Sequence, residues 1–184
     1  MYIGVDSRDF NLENSMFARP VHHPIHGIGH IYRTMIHCAL LGKMLNKPRA
    51  ALLAFCGAYI HDLARSNDGV DFEHGANAAK YYFHRFDALW GKYGITDEER
   101  VYIKEAVTQH SRKETLTPSD AGYDVMAILK DADALDRYRI GDLDPRFLRY
   151  AESKVLMPNA ESICSKSIYV NDDIRFTDFL MMIK

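Results

Sequence analysis

Six side chains in this 184-residue chain have the types and spacings that bind a divalent cation: His30, His61, Asp62, His74, His110 and Asp133. His61 and Asp62 stand side by side in "AYIHDLARS", at the end of the most apolar run of the sequence. On a helix, His61 shares a face with Ala58, Gly57, Ala54 and Leu53, three to eight residues earlier, and so points inward. Asp62 lies about 100° further round, so both reach one ion only near the helix end. His110 follows Val107 and Ile103 at inward spacings, and Asp133 follows Leu129 and Met126 in the same way. His30 opens the first helix with His26 one turn before it, and His74 lies near the start of the third. Taken singly, each histidine reads as an ordinary core residue, as His22, His23, His37 and His84 read as core or surface. Aspartates on buried faces are rarer without a partner. Carboxylates among imidazoles suit a borderline divalent ion such as zinc, manganese, iron or nickel.

The elements that must position these groups are helical. Ile31, Met35, Cys38, Leu41 and Leu45 step by three and four, one face of an amphipathic helix. "NKP" at 46–48 closes that helix and opens the next, with Pro48 suited to a first turn. Residues 50–60 are apolar nearly all round, which predicts a helix surrounded by other helices. "EHGANAAKYYFHRFDALWGKYG" predicts one third helix ending at a glycine cap. Thr96 and Glu99 form a capping-box signature for the fourth, and "YDVMAILKDADALDRYRIGD" predicts a fifth. Shorter helical candidates follow residue 145, and no run alternates as a strand would. The chain reads as all-α and single-domain: an N-terminal extension over 1–19, a core over 20–140 and helical decoration over 141–184.

Composition narrows the function classes. The chain is 47% hydrophobic and 26% charged, with a formal net charge of −2, ordinary for a globular protein. Its interspersed charges give no electrostatic case for a nucleic-acid polymer or an anionic membrane. No run reaches the roughly 18 apolar residues of a membrane helix, and the N-terminal residues lack the pattern of a secretory signal. Cys38, Cys56 and Cys164 form no CxxC pair and read as reduced core residues. These features predict a cytoplasmic protein. The apolar C-terminal "FTDFLMMIK" packs either on its own domain or on a second subunit, which leaves a homodimer open.

The stretches "HGIGHIYRT", "YIHDLAR", "EHGANAA", "VTQHS" and "LKDADALDR" resemble the five successive signatures of the HD-domain superfamily of metal-dependent phosphohydrolases. The resemblance covers roughly residues 20–140. It implies an HD-type helical bundle, with His30, His61, Asp62 and Asp133 in the one-metal set. His74 and His110 match the two further histidines of the two-metal set, with Asp62 bridging. It implies one or two divalent ions, of iron, manganese, zinc, nickel or magnesium. His26 competes with His30 for the first position, although His-x-x-Arg with Arg33 favours His30. Asp131 and Asp136 flank Asp133, which the D-x-L-D spacing favours.

The chemistry implied is water activation and attack on the phosphoester or phosphoanhydride of a small, nucleotide-like substrate. A bound divalent ion lowers the pKa of its water from 15.7 toward about 7. Phosphoryl oxygens then need positive charge. Arg33, Arg65, Lys130 and Arg137 lie within a few residues of a candidate ligand, whereas Lys113 reads as solvated rim. Arg33 and Arg65, three positions from a ligand, are the preferred phosphate contacts and join Asp62 as catalytic candidates. Two rivals stand beside this reading. Some HD-like proteins with six ligands are di-iron oxygenases; the other rival is a non-catalytic metal-stabilised domain, which the absent thiolates disfavour.

Overall fold

The computed structural model describes residues 3–19 and 25–184; His22 and His23 lie outside them. All regular elements among the described residues are helical, and the architecture is the single-domain helical bundle that the periodicity predicts. Helices α1 (Ile28–Met44) and α2 (Pro48–Ile60) form the central pair. Pro48 occupies the first turn of α2, where its missing N–H leaves no bond unmade. The two helices touch so closely that a Cβ on Gly42 would lie 2.0 Å from that of Ala51. Every residue of α2 from Ala51 to Ile60 is buried, because α1, α5 (Asp97–His110) and α6 (Tyr123–Leu135) surround it. Helix α5 opens with both bonds of the Thr96–Glu99 capping box in place.

The single third helix expected from the sequence is instead three pieces. These are α3 (His74–Tyr81), a 3-10 turn at Phe83–Phe86 and α4 (Asp87–Lys92). Tyr82, Phe83 and Trp90 are all buried, and adjacent residues on one α-helix do not share a stripe. The break turns Tyr82 and Phe83 inward together and frees the Phe83 carbonyl for the Trp90 indole N–H, 2.9 Å away. The left-handed Gly94 follows α4, as the glycine cap predicts. Helix α6 likewise stops at Leu135 and continues as a 3-10 turn, Asp136–Ile140.

Beyond it come α7 (Ala151–Val155), α8 (Met157–Ser167) and α9 (Phe176–Met182). The flanking segments share one core with the bundle: Phe10 packs on Phe55, and Phe176 and Phe179 of α9 pack on Tyr32. All three cysteines are free and buried. Among the described residues, no helix is long and apolar enough to cross a membrane.

Candidate metal centre

Five helices deliver one side chain each, or two, to a common point. His30 comes from the first turn of α1, His61 and Asp62 from the end of α2, His74 from the first residue of α3. His110 ends α5, and Asp133 sits in the last turn of α6. One glycine sets the spacing of α3 and α5. A Cβ on Gly75 would lie 2.3 Å from the Val107 carbonyl and 2.8 Å from His110 Nδ1. Only hydrogen fits there, and that lets His74 and His110 meet.

The donors sort themselves around the two oxygens of Asp62. Its Oδ2 lies 3.4 Å from His30 Nε2 and 3.7 Å from His61 Nε2; Asp133 Oδ1 is 3.3 Å from the same His30 nitrogen. Its Oδ1 lies 3.0 Å from His74 Nε2 and 3.6 Å from His110 Nε2. Donor atoms of His30, His61 and Asp133 fall within 4.8 Å of one another, as do those of His61, Asp62 and His110.

The outward-facing nitrogens say what the inward-facing ones are for. His61 Nδ1 donates to the Ala58 carbonyl at 2.7 Å and His110 Nδ1 to the Val107 carbonyl at 2.6 Å. His74 Nδ1 bonds the Asp71 carbonyl, and His30 Nδ1 the Asp136 carboxylate at 2.7 Å. A carbonyl partner assigns the neutral ring its proton at Nδ1, which leaves Nε2 as a bare lone pair. The Nε2 atoms themselves approach within 2.7 Å at His74–His110 and 3.2 Å at His30–His61. Two carboxylates face the same space, and Asp62 Oδ2 has no hydrogen-bond partner although it is buried. The donors are spaced so that a cation could sit among them, and outward Nδ1 bonds are the usual support of metal-ligating histidines.

Electrostatics agree. Burial would raise the Asp62 pKa, but His61, His110, His30 and His74 hold it well below the ordinary carboxylate range. Burial likewise opposes ionisation of Asp133, yet His30 and its neighbours keep it anionic. Burial pushes His61 down to about 3, so it is neutral at pH 7. Burial and Arg139 oppose charge on His30, but Asp133, Asp136 and Asp62 outweigh them and raise it to about 9. Nitrogen and oxygen donors without thiolate fit a hydrolytic or redox-active divalent ion better than a structural zinc.

The flanking candidates separate cleanly. His26 stays outside the cluster, with Nδ1 2.9 Å from Asp68. Asp136 lies behind His30, and Asp131 is taken by the segment after residue 145. Arg33, expected to bind phosphate, does not line the cleft over the cluster. Its guanidinium is buried, donating from Nε and Nη2 to Asp136 and from Nη1 to the Ser167 carbonyl. Lys130 also misses that cleft: its ammonium caps α5 by donating to the carbonyls of Gln109 and Arg112 at 2.9 and 2.7 Å. Arg65 does line it, with Nε 3.2 Å from Asp62 Oδ1 and Nη1 3.0 Å from the Gly69 carbonyl. Arg137 lines it too, half-exposed and paired with Asp142. Arg139 escaped the sequence reading; it joins the cleft wall while bonding Asp136 and the Ile25 carbonyl.

The family model for the HD domain matches residues 27–138. That is more than half of the chain, and the chain belongs to the HD-domain family, whose members are generally metal-dependent phosphohydrolases. No curated protein and no solved structure matches the chain.

Proposed function

We propose that this protein is a metal-dependent phosphohydrolase that cleaves a phosphoester or phosphoanhydride of a small substrate. The observation that carries this reading is the Asp62 carboxylate, with its orphaned Oδ2 toward His30 and His61 and its Oδ1 toward His74 and His110. His30, His61, Asp133 and Asp62 Oδ2 would hold one divalent ion; His74, His110 and Asp62 Oδ1 would hold a second. When bound, such ions supply an activated water and positive charge for phosphoryl oxygens.

The remaining tasks belong to the chain. The cleft over the cluster has a volume of about 440 Å³, which suits a small molecule. Arg65 steadies Asp62 and brings a guanidinium to the cleft wall, where it would meet a phosphoryl oxygen. Arg139 adds positive charge from the opposite sequence end of the bundle. His26 shares the cleft; burial pushes it down to about 4, so its ring is neutral at pH 7. With its proton assigned to Nδ1 by Asp68, its second nitrogen is an acceptor suited to orienting the attacking water. Arg33 acts one layer back, as a positioning residue that holds Asp136 against His30.

The test is elemental analysis of protein purified without chelator, with the same sample assayed on phosphoesters in air and under nitrogen. One or two divalent ions per chain with oxygen-independent phosphate release is the expected result. Two irons per chain, oxygen consumption and no phosphate release would replace the hydrolase with a di-iron oxygenase.

A further inference from the structure

A second chamber of about 520 Å³ adjoins the main cleft and shares His110, Asp133 and Arg137 with it. Its character is different. Each of its charged side chains is already engaged within the protein. Lys130 is bonded to two backbone carbonyls, and Arg137 is paired with Asp142. Arg149 is paired with Glu114 and Asp131, and Asp144 with Arg146. What remains is apolar: Ala134, Leu143 and the ring of Phe147, which is 72% exposed.

The backbone that carries that ring is held in place. Phe147 ends the 3-10 turn Pro145–Phe147, which Asp144 caps by accepting from the Arg146 N–H. Immediately after it, the buried Asp131 accepts from the Arg149 and Tyr150 backbone N–H groups and from the Ser153 hydroxyl. Asp131 is two residues before the candidate ligand Asp133. The same turn of α6 therefore fixes both a metal-binding carboxylate and the segment that presents Phe147. A solvent-facing aromatic ring on an anchored backbone, in a charge-compensated chamber, is a stacking platform. With no free cation, the chamber does not suit a second phosphate.

We propose that this chamber receives the uncharged, planar part of the substrate, stacked on Phe147, while the phosphoryl end lies at the Asp62 cluster. The proposal rests on the phosphohydrolase reading of that cluster. It makes Phe147 a specificity-determining residue, contributed by the region outside the family match.

The test uses the full chain loaded with Mn²⁺ and two esters whose leaving alcohols are of similar acidity, 3-phenylpropyl phosphate and propyl phosphate. Wild-type kcat/KM should favour the phenylpropyl ester by about tenfold or more, the scale of a single ring–aromatic stacking contact. Phe147→Ala should bring the two esters within about threefold of each other, through KM. Phe147→Trp should keep the preference. Calorimetric binding of 3-phenylpropylphosphonate and propylphosphonate gives a readout independent of turnover. If neither ester is cleaved, yet the phenylpropylphosphonate binds more tightly and Phe147→Ala removes that advantage, the chamber stands and the hydrolase reading falls. Hydrolysis without preference, or a preference unchanged in Phe147→Ala, overturns the chamber and leaves the hydrolase. Loss of the preference in Phe72→Ala instead, from the exposed ring of the main cleft, overturns it as well. Neither hydrolysis nor binding overturns both.

Discussion

Asp62 and Asp131 are both buried aspartates beside the same cluster, and they are finished in opposite ways. Asp131 is saturated: two backbone N–H groups, a hydroxyl and the Arg149 guanidinium all donate to it. Asp62 accepts from Arg65 at Oδ1 and turns Oδ2, which has no hydrogen-bond partner, toward the ring nitrogens of His30 and His61. A buried carboxylate costs several kcal/mol unless something answers its charge. At Asp131 hydrogen-bond donors fill both oxygens; at Asp62 the fold leaves Oδ2 without one and sets it among imidazole nitrogens. The contrast separates a structural carboxylate from a candidate ligand where residue type and burial do not.

Exchanging the behaviour of these two residues would break the comparison, and their variants carry the largest predicted effects. Outer-shell partners of ligating histidines are worth about 10–100-fold. Removing the shared ligand in Asp62→Ala should therefore lower activity by more than about a hundredfold and abolish metal binding. Asp131→Ala should do the reverse. It strands the donors of Arg149, Tyr150 and Ser153 and should cost about 3–5 kcal/mol in urea unfolding, with metal stoichiometry kept in the folded fraction.

Arg33→Met sharpens the comparison from behind His30. It removes the guanidinium from the buried Asp136 carboxylate, and the expected loss is about 3 kcal/mol of stability. Metal affinity should fall too, through the loosened His30 ring. His110→Ala is milder. It leaves the His30–His61–Asp133 group intact, so one ion should remain while the second weakens, as titration with Mn²⁺ would report. A single-step loss of both ions would contradict the division of donors around Asp62.

His37 provides the smallest effect and a contrast with the cluster histidines. Both its ring nitrogens are buried without a partner, and burial pushes its pKa from 6.5 down to about 4. Between these values the unfolded chain binds the proton and the folded one does not. His37 therefore contributes stability above pH 6.5 that is lost as pH falls toward 4. His37→Leu should flatten the stability–pH profile across that window when urea midpoints are compared at pH 5 and pH 7. An unchanged difference between the two midpoints would show that His37 is not the group responsible.

The inward placement of the candidate ligands was legible in the sequence because inward spacing on a helix is local. His61, His110 and Asp133 announce their faces through neighbours three and four residues away, and the Thr96 cap does the same for α5. The supports were not legible, because they are long-range: Arg33 meets Asp136 across 103 residues and Lys130 meets Gln109 across 21. Proximity in sequence made Arg33 a phosphate contact; the fold spends its guanidinium on Asp136. The helix expected over 73–94 shows a similar limit, since burying Tyr82 and Phe83 together overrides a continuous helical propensity. Phe147 gave no signal at all, because exposure and the neighbouring chamber exist only once the segment after 145 is tied to Asp131.

Metal stoichiometry compared between wild type, Asp62→Ala and Asp131→Ala tests the central claim most directly. Elemental analysis of protein reconstituted with Mn²⁺ and desalted should give up to two ions per chain for wild type and for folded Asp131→Ala, and none for Asp62→Ala. Wild-type protein that holds no ion, or Asp62→Ala that holds as many as wild type, would contradict it.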